Sequence, residues 1–154
     1  MRISYKKQYE DKYYLNITFI DEVEEQGFLK RILDWFGKSL PINCMITDFD
    51  TDYSLYKEYF EKSEYYVLDR ITTQSIFAFK LNNEEVGNVI SNWGYYTISA
   101  LFALGEIDNK TINQRLDISD LLMSMPIVIS QILDNSIEII SDAYYLNDVV
   151  KFLV

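Results

Sequence analysis

Between Glu22 and Gly37 the chain reads EVEEQGFLKRILDWFG, in which Phe28, Leu29, Ile32, Leu33 and Phe36 recur at the spacing of one helix face. A stripe of that width has to be buried against another element, so the chain is committed to a layered fold with this helix as a lid. Glu22, Glu24 and Glu25 stand near its start, Lys30 and Arg31 further along, and Gly37 just past its end. That order suits the helix dipole and a glycine stop. Before the helix come RISYKKQY and KYYLNITFI, two Tyr- and Ile-rich runs joined at Glu10 and Asp11, which read as an opening β-hairpin.

The rest of the chain continues in short elements. PINCMITDF (residues 41–49) reads as a buried strand and TDYSLYKEYFEK (51–62) as a short helix. EYYVLDR and SIFAFKL follow as strands, antiparallel if ITTQ is a turn. NNEEVGNVISNWG is a second clear helix: Val86, Val89, Ile90 and Trp93 share a face, Asn82 or Asn83 can cap its start, and Gly94 can end it. YYTISALFAL alternates as a strand with Tyr96, Ile98, Ala100, Phe102 and Leu104 on one side. SDLLMSM is a helical turn or two stopped by Pro126; IVISQIL and SIEIIS flank Asp134 and Asn135 as a hairpin, with a helix the alternative for IVISQIL. Asp142 can cap a last helix whose Ala143, Leu146, Val149, Val150 and Leu153 share one face. There is no sustained strand–helix alternation. The expected fold is therefore α+β, one compact domain over residues 1–154. It has a mainly antiparallel, mixed sheet of about six to seven strands, with three to five helices packed mostly on one face.

What the chain lacks narrows its chemistry. There is no histidine and one cysteine, Cys44. Ser-His-Asp and Cys-His catalysis, imidazole metal sites and an internal disulfide are thereby excluded. No GxGxxG or GxxxxGK[ST] is present, and the chain has only five glycines for close approach to a phosphate. The reading carries no catalytic residue, no metal ligand and no cofactor. Net charge is −10, from 24 acidic against 14 basic residues. That disfavours a nucleic-acid backbone as partner and favours a basic protein. The first hairpin, with Arg2, Lys6, Lys7 and Lys12, is the exception to the acidity and is expected to lie away from such a partner. The basic start has no continuous apolar core of a signal peptide, and the longest apolar stretch is about half the ~20 residues that span a bilayer. A cytoplasmic protein with no membrane contact is expected. Heavy use of Ile, Tyr, Asn and Lys, residues with AT-rich codons, points to a bacterial or phage genome.

The stretch CMITDFDTDYSLY places Asp48, Asp50 and Asp52 at alternate positions after an apolar run. An EF-hand loop counted from Asp48 would need Gly at its sixth position and a closing acid at its twelfth; Tyr53 and Tyr59 stand there. MITDFDTD resembles the first motif, DxDx[TV], of haloacid-dehalogenase-type phosphohydrolases. The resemblance implies Asp48 as nucleophile and Asp50 as general acid/base, with magnesium; Asp52 occupies the Thr/Val position. A strand end followed by a helix cap explains the same residues more simply. Thirteen tyrosines, paired at 13–14, 65–66, 95–96 and 144–145, offer contact area of the kind enriched in interfaces. Trp93 reads as core and Tyr95 as exposed.

In composition the chain resembles small acidic immunity proteins. The function expected is a non-enzymatic bacterial protein-binding module, an immunity- or antitoxin-type inhibitor of a basic, toxin-like partner. The expected contact surface comprises Asp48, Asp50, Asp52, Glu58, Glu61 and Tyr95. A magnesium-dependent phosphohydrolase centred on Asp48 and Asp50, and a phage-encoded acidic nucleic-acid mimic or anti-defence protein, are the alternatives.

Overall fold

In the computed structural model, the structure describes residues 1–47, 65–68, 76–91, 101–107, 118–133 and 135–153. The strands are β1 (Arg2–Tyr9), β2 (Lys12–Thr18), β3 (Ile42–Thr47), β4 (Tyr65–Leu68), β5 (Ile76–Leu81), β6 (Leu101–Leu104), β7 (Ile127–Leu133) and β8 (Ser136–Asp142). The helices are α1 (Glu22–Phe36), α2 (Asn83–Ser91), α3 (Ile118–Ser124) and α4 (Ala143–Lys151). The strands form one sheet in the order β1-β2-β8-β7-β6-β3-β5-β4, and every pairing is antiparallel. The α+β architecture, opening with a hairpin and then a helix, is what the chain adopts. The hairpin turns at Glu10 and Asp11, with Tyr9 opposite Lys12 and Glu10 at φ 54°.

Alternation builds the core one row at a time. Leu15, Ile139, Ile129, Phe102, Cys44 and Phe79 are successive register partners across six strands, and all are buried. They belong to the sheet face that α1, α2 and α4 cover, through Phe28, Leu29, Ile32, Leu33 and Phe36 of α1, Val86, Val89 and Ile90 of α2, and Val149 of α4. Successive side chains of a strand point to opposite faces, so Met45, Ala78, Ala103 and Val128 lie on the other side. There they pack with Ile107, Leu121 and Met125, under the short helix α3. Among the described residues, three helices lie on one face and one on the other.

Local chemistry explains the helix starts. Asp21 caps α1, its Oδ1 accepting the Glu24 N–H at 2.8 Å. At α2 the cap is reciprocal: Asn82 Oδ1 accepts from Glu85 N–H (2.9 Å), and Glu85 Oε1 accepts from Asn82 N–H (3.0 Å). Gly37 ends α1 as the sequence suggests, and it does so in a right-handed conformation, φ −63°. A Cβ there would lie 2.8 Å from the Leu33 carbonyl oxygen and 2.9 Å from Ile42 Cδ1, so glycine is needed for close approach of α1 to β3. Lys30 and Arg31 sit mid-helix, and the last turn of α1 has no basic residue. Glu25, in the first turn as expected, is buried and accepts a hydrogen bond from Gln131 Nε2 of β7 at 3.5 Å. The inner face of α4 consists of Tyr145, Leu146, Val149, Phe152 and Leu153, while Ala143 and Val150 are exposed.

Two further corrections concern buried polar groups. Asp142 occupies the cap position of α4 but makes no capping bond. Its carboxylate pairs instead with Lys12, which is only 4% exposed and also donates to the Met125 carbonyl at 2.8 Å. Lys12 is thus an internal tie and no part of a basic surface. Asn43 is also fully buried; its Nδ2 donates to the Ala103 and Gly105 carbonyls at 3.0 and 2.8 Å.

Candidate functional site

The residues expected to form the contact surface, Asp48, Asp50, Asp52, Glu58, Glu61 and Tyr95, all lie outside the described residues, as do Trp93 and the helix expected at 51–62. The strand expected to lead into the aspartates is present as β3, ending at Thr47, with Ile42 and Cys44 in the main core. β3 is flanked by antiparallel neighbours on both sides. A ligand crevice at the carboxyl ends of parallel strands is not the geometry found there. Cys44 lies at the centre of the core row, and burial pushes its thiol up to about 12. A thiol held protonated and out of reach of solvent is neither a nucleophile nor a metal ligand.

A different surface stands out among the described residues. The C-terminal end of α1 and the start of α4 lie side by side and leave a groove of about 360 Å³, lined by Trp35, Phe36, Lys38, Ser39, Tyr144, Tyr145 and Asp148. Adjacent positions on a helix point about a third of a turn apart, which separates the two tyrosines. Tyr145 turns inward against Phe36 (centroids 6.0 Å apart), whereas Tyr144 is 82% exposed and meets Tyr145 edge-on at 4.8 Å. Trp35 lies on the border of the α1 stripe, braced by Phe152 at 6.3 Å and 47% exposed. Phe152 in turn packs on the buried Phe36 at 6.4 Å. The aromatic cluster therefore runs without a break from the core to the surface. Its exposed rings rest on the half-buried Phe152 and Tyr145, which in turn pack on the buried Phe36.

Comparison with protein families, with curated proteins and with solved structures finds no match. The groove must be read from its own chemistry.

Charge surrounds the rings. Lys38 Nζ stands 5.4 Å from the Trp35 ring centroid, and Lys151 Nζ pairs with Asp148 Oδ1 at 2.9 Å. Asp34, on the same helix as Trp35, is exposed. Elsewhere, Ile20 and Val23 are about four-fifths exposed beside Asp21 and Glu22, a smaller acidic and aliphatic patch at the start of α1. Among the described residues no three His, Cys, Asp or Glu side chains gather as a metal site. No described helix is long and apolar enough to cross a membrane.

Sequence reasoning looked for an exposed tyrosine just past Gly94 and missed Tyr144. The signal was present in the helical phase: Tyr144 falls off the stripe that Tyr145, Leu146, Val149, Phe152 and Leu153 define. Trp35 was harder to find, because its position at the stripe's border is compatible with burial. Its exposure follows from where α1 ends relative to α4, which no local pattern encodes.

Proposed function

We propose that the chain is a non-enzymatic, bacterial protein-binding module. In this reading it is an inhibitor of the immunity or antitoxin type that neutralises a basic partner in the cytoplasm by covering it with an acidic, tyrosine-bearing surface. The observation that carries this reading is the exposed Trp35–Tyr144 groove on a chain of net charge −10. Trp and Tyr dominate the energetics of protein interfaces because they bury large area with little loss of side-chain freedom. Rings already braced from behind, as Trp35 is by Phe152, cost still less to order on binding. The acidic excess supplies what rings do not: long-range attraction that speeds encounter with a basic partner and rejects acidic ones.

The test uses the tagged chain as bait in an extract of its native host, with a Trp35→Ala/Tyr144→Ala bait in parallel. The expected result is one basic protein retained in stoichiometric amount by the first bait, lost from the second and released by salt. The retained protein, once purified, should lose its own activity when the chain is added. Magnesium-dependent phosphatase turnover that disappears in Asp48→Asn would instead replace this reading with the phosphohydrolase one.

A further inference from the structure

We infer that the groove between α1 and α4 is a receptor for one arginine side chain of a basic partner, stacked on Trp35 and forked to the carboxylate of Asp148. Lys38 and Lys151 occupy those two recognition elements in the free protein. The inference rests on the protein-binding reading above and specifies what the groove recognises.

The two lysines reveal what the groove attracts. One ammonium group stands over the indole face at 5.4 Å and another lies against the carboxylate at 2.9 Å. Both are exposed, Lys151 at 69%, so each contact is made in water and is weakly held. Neither lysine meets both elements: each is the i+3 neighbour of its own partner, Lys38 of Trp35 and Lys151 of Asp148, and chain geometry confines it there. An ammonium group is also a compact, strongly hydrated point charge. A guanidinium is planar and less hydrated, and presents parallel N–H donors. It can lie flat on an aromatic ring while its edge meets a carboxylate. Its apolar stem would lie along Tyr144, whose ring is open to solvent. A groove of about 360 Å³ is at the small end for a ligand site and suits one long side chain better than a cofactor. The net charge of −10 favours a partner rich in such side chains.

The inference predicts opposite effects for substitutions only a few residues apart. Lys38→Ala removes an internal competitor and should tighten binding, whereas Asp148→Asn and Tyr144→Ala remove recognition elements and should weaken it. The probe is the peptide acetyl-Gly-Arg-Gly-amide, with its lysine counterpart as a control of equal charge. Both are titrated at constant ionic strength while the indole N–H resonance of Trp35 is followed by NMR. The expected result is a saturable shift with the arginine peptide and binding at least several-fold tighter than that of the lysine peptide. Lys38→Ala should tighten it about two- to five-fold, the worth of one exposed cation–π contact. Tyr144 is so exposed that its removal leaves the fold intact, and Val23→Ser, on the other patch, should leave binding unchanged. Equal binding of the two peptides, no saturable shift at Trp35, or weaker binding in Lys38→Ala would overturn the inference. The titration involves no native partner, so its failure would leave the inhibitor reading standing, and failure of the capture experiment would leave the arginine site standing.

Discussion

Lys12 and Asp142 face each other in register on β2 and β8, yet removing one should cost far more than removing the other. The asymmetry follows from burial. Lys12 is 4% exposed, while the side chain of Asp142 is 36% exposed. In Lys12→Met the aliphatic stem is kept, the Met125 carbonyl loses its donor, and Asp142 rehydrates. The freed carboxylate already sits at the cap position of α4, where an N-cap bond returns about 1 kcal/mol. Set against roughly 1–3 kcal/mol for the orphaned carbonyl, the net loss is about 0–2 kcal/mol. Asp142→Asn instead leaves an ammonium group inside the protein without a counter-charge. Stranding a buried charge costs roughly 3–5 kcal/mol, and the amide oxygen of the new side chain, still able to accept, brings this to about 3 kcal/mol.

The double variant decides between explanations. Without Lys12 there is no charge to strand, and asparagine is as good a cap as aspartate, so the pair together should cost little more than Lys12→Met alone. The coupling is then about 3 kcal/mol, well beyond what independent sites show. Urea unfolding measures it: with slopes of roughly 1–3 kcal/mol/M, Asp142→Asn should move the midpoint by about 1–3 M. Equal losses in the two single variants, or losses that add in the double, would refute the reasoning.

Other consequences are more direct. Glu24 has its carboxyl held below the ordinary 4.5, first by the Ile20 N–H and next by the amino group of Met1. A depressed folded value gives stability that is complete above about pH 4.5 and lost as pH falls through the lower folded value. Glu24→Gln should therefore lower the melting temperature at neutral pH and leave it almost unchanged in acid. Gly87 sits inside α2 with open space where a Cβ would go, so Gly87→Ala should stabilise by about 0.5–1 kcal/mol in urea unfolding. Gly37→Ala, which meets the Leu33 carbonyl and Ile42, should destabilise by about 1–3 kcal/mol. Cys44 should resist thiol reagents at neutral pH and become reactive only with global unfolding, so that labelling and circular dichroism share one midpoint.

The features readable in the sequence are those in which cause and effect lie within a few residues. The α1 stripe, the turn at Glu10 and Asp11, the caps at Asn82 and the turn at Asn135 belong to this class. Reading failed where a partner lies far along the chain. Lys12 looked like one more hairpin lysine because its carboxylate is at position 142, and Asp142 looked like a cap for the same reason. Gly37 reads correctly as the end of α1, but the Ile42 side chain that requires glycine there becomes a neighbour only once β3 is in place. The groove is similar, since Trp35 and Tyr144 are far apart in the chain and line one groove only because β8 returns beside β2. Composition alone suggested an acidic, aromatic surface, and a chain's composition does not say where that surface lies.

The buried polar ties also explain how so repetitive a sheet keeps one register. Leu15 and Ile17 on β2, Ile127 and Ile129 on β7, and Ile137 and Ile139 on β8 repeat nearly the same side chain every second residue. A one-residue slip would turn these side chains out of the core, but a two-residue slip would keep them all inside at little cost in apolar contact. Polar pairs remove that freedom. The β2–β8 ladder is closed at one end by Lys12 against Asp142 and at the other by Thr18 Oγ1 and Ser136 Oγ, 3.2 Å apart. Slipped by two, Lys12 would face Ile140, with its charge buried and unmatched. Asn43 does the same for β3 and β6, since only the observed register brings Ala103 opposite it and Gly105 within reach of its amide. On this argument the Lys12–Asp142 pair contributes uniqueness more than stability. The double variant Lys12→Met/Asp142→Asn, though folded, should lose that uniqueness. The amide resonances of β2 and β8 should double or broaden, while those of β3 and β5 stay sharp. A single sharp set throughout would show that the isoleucine rows alone hold the register.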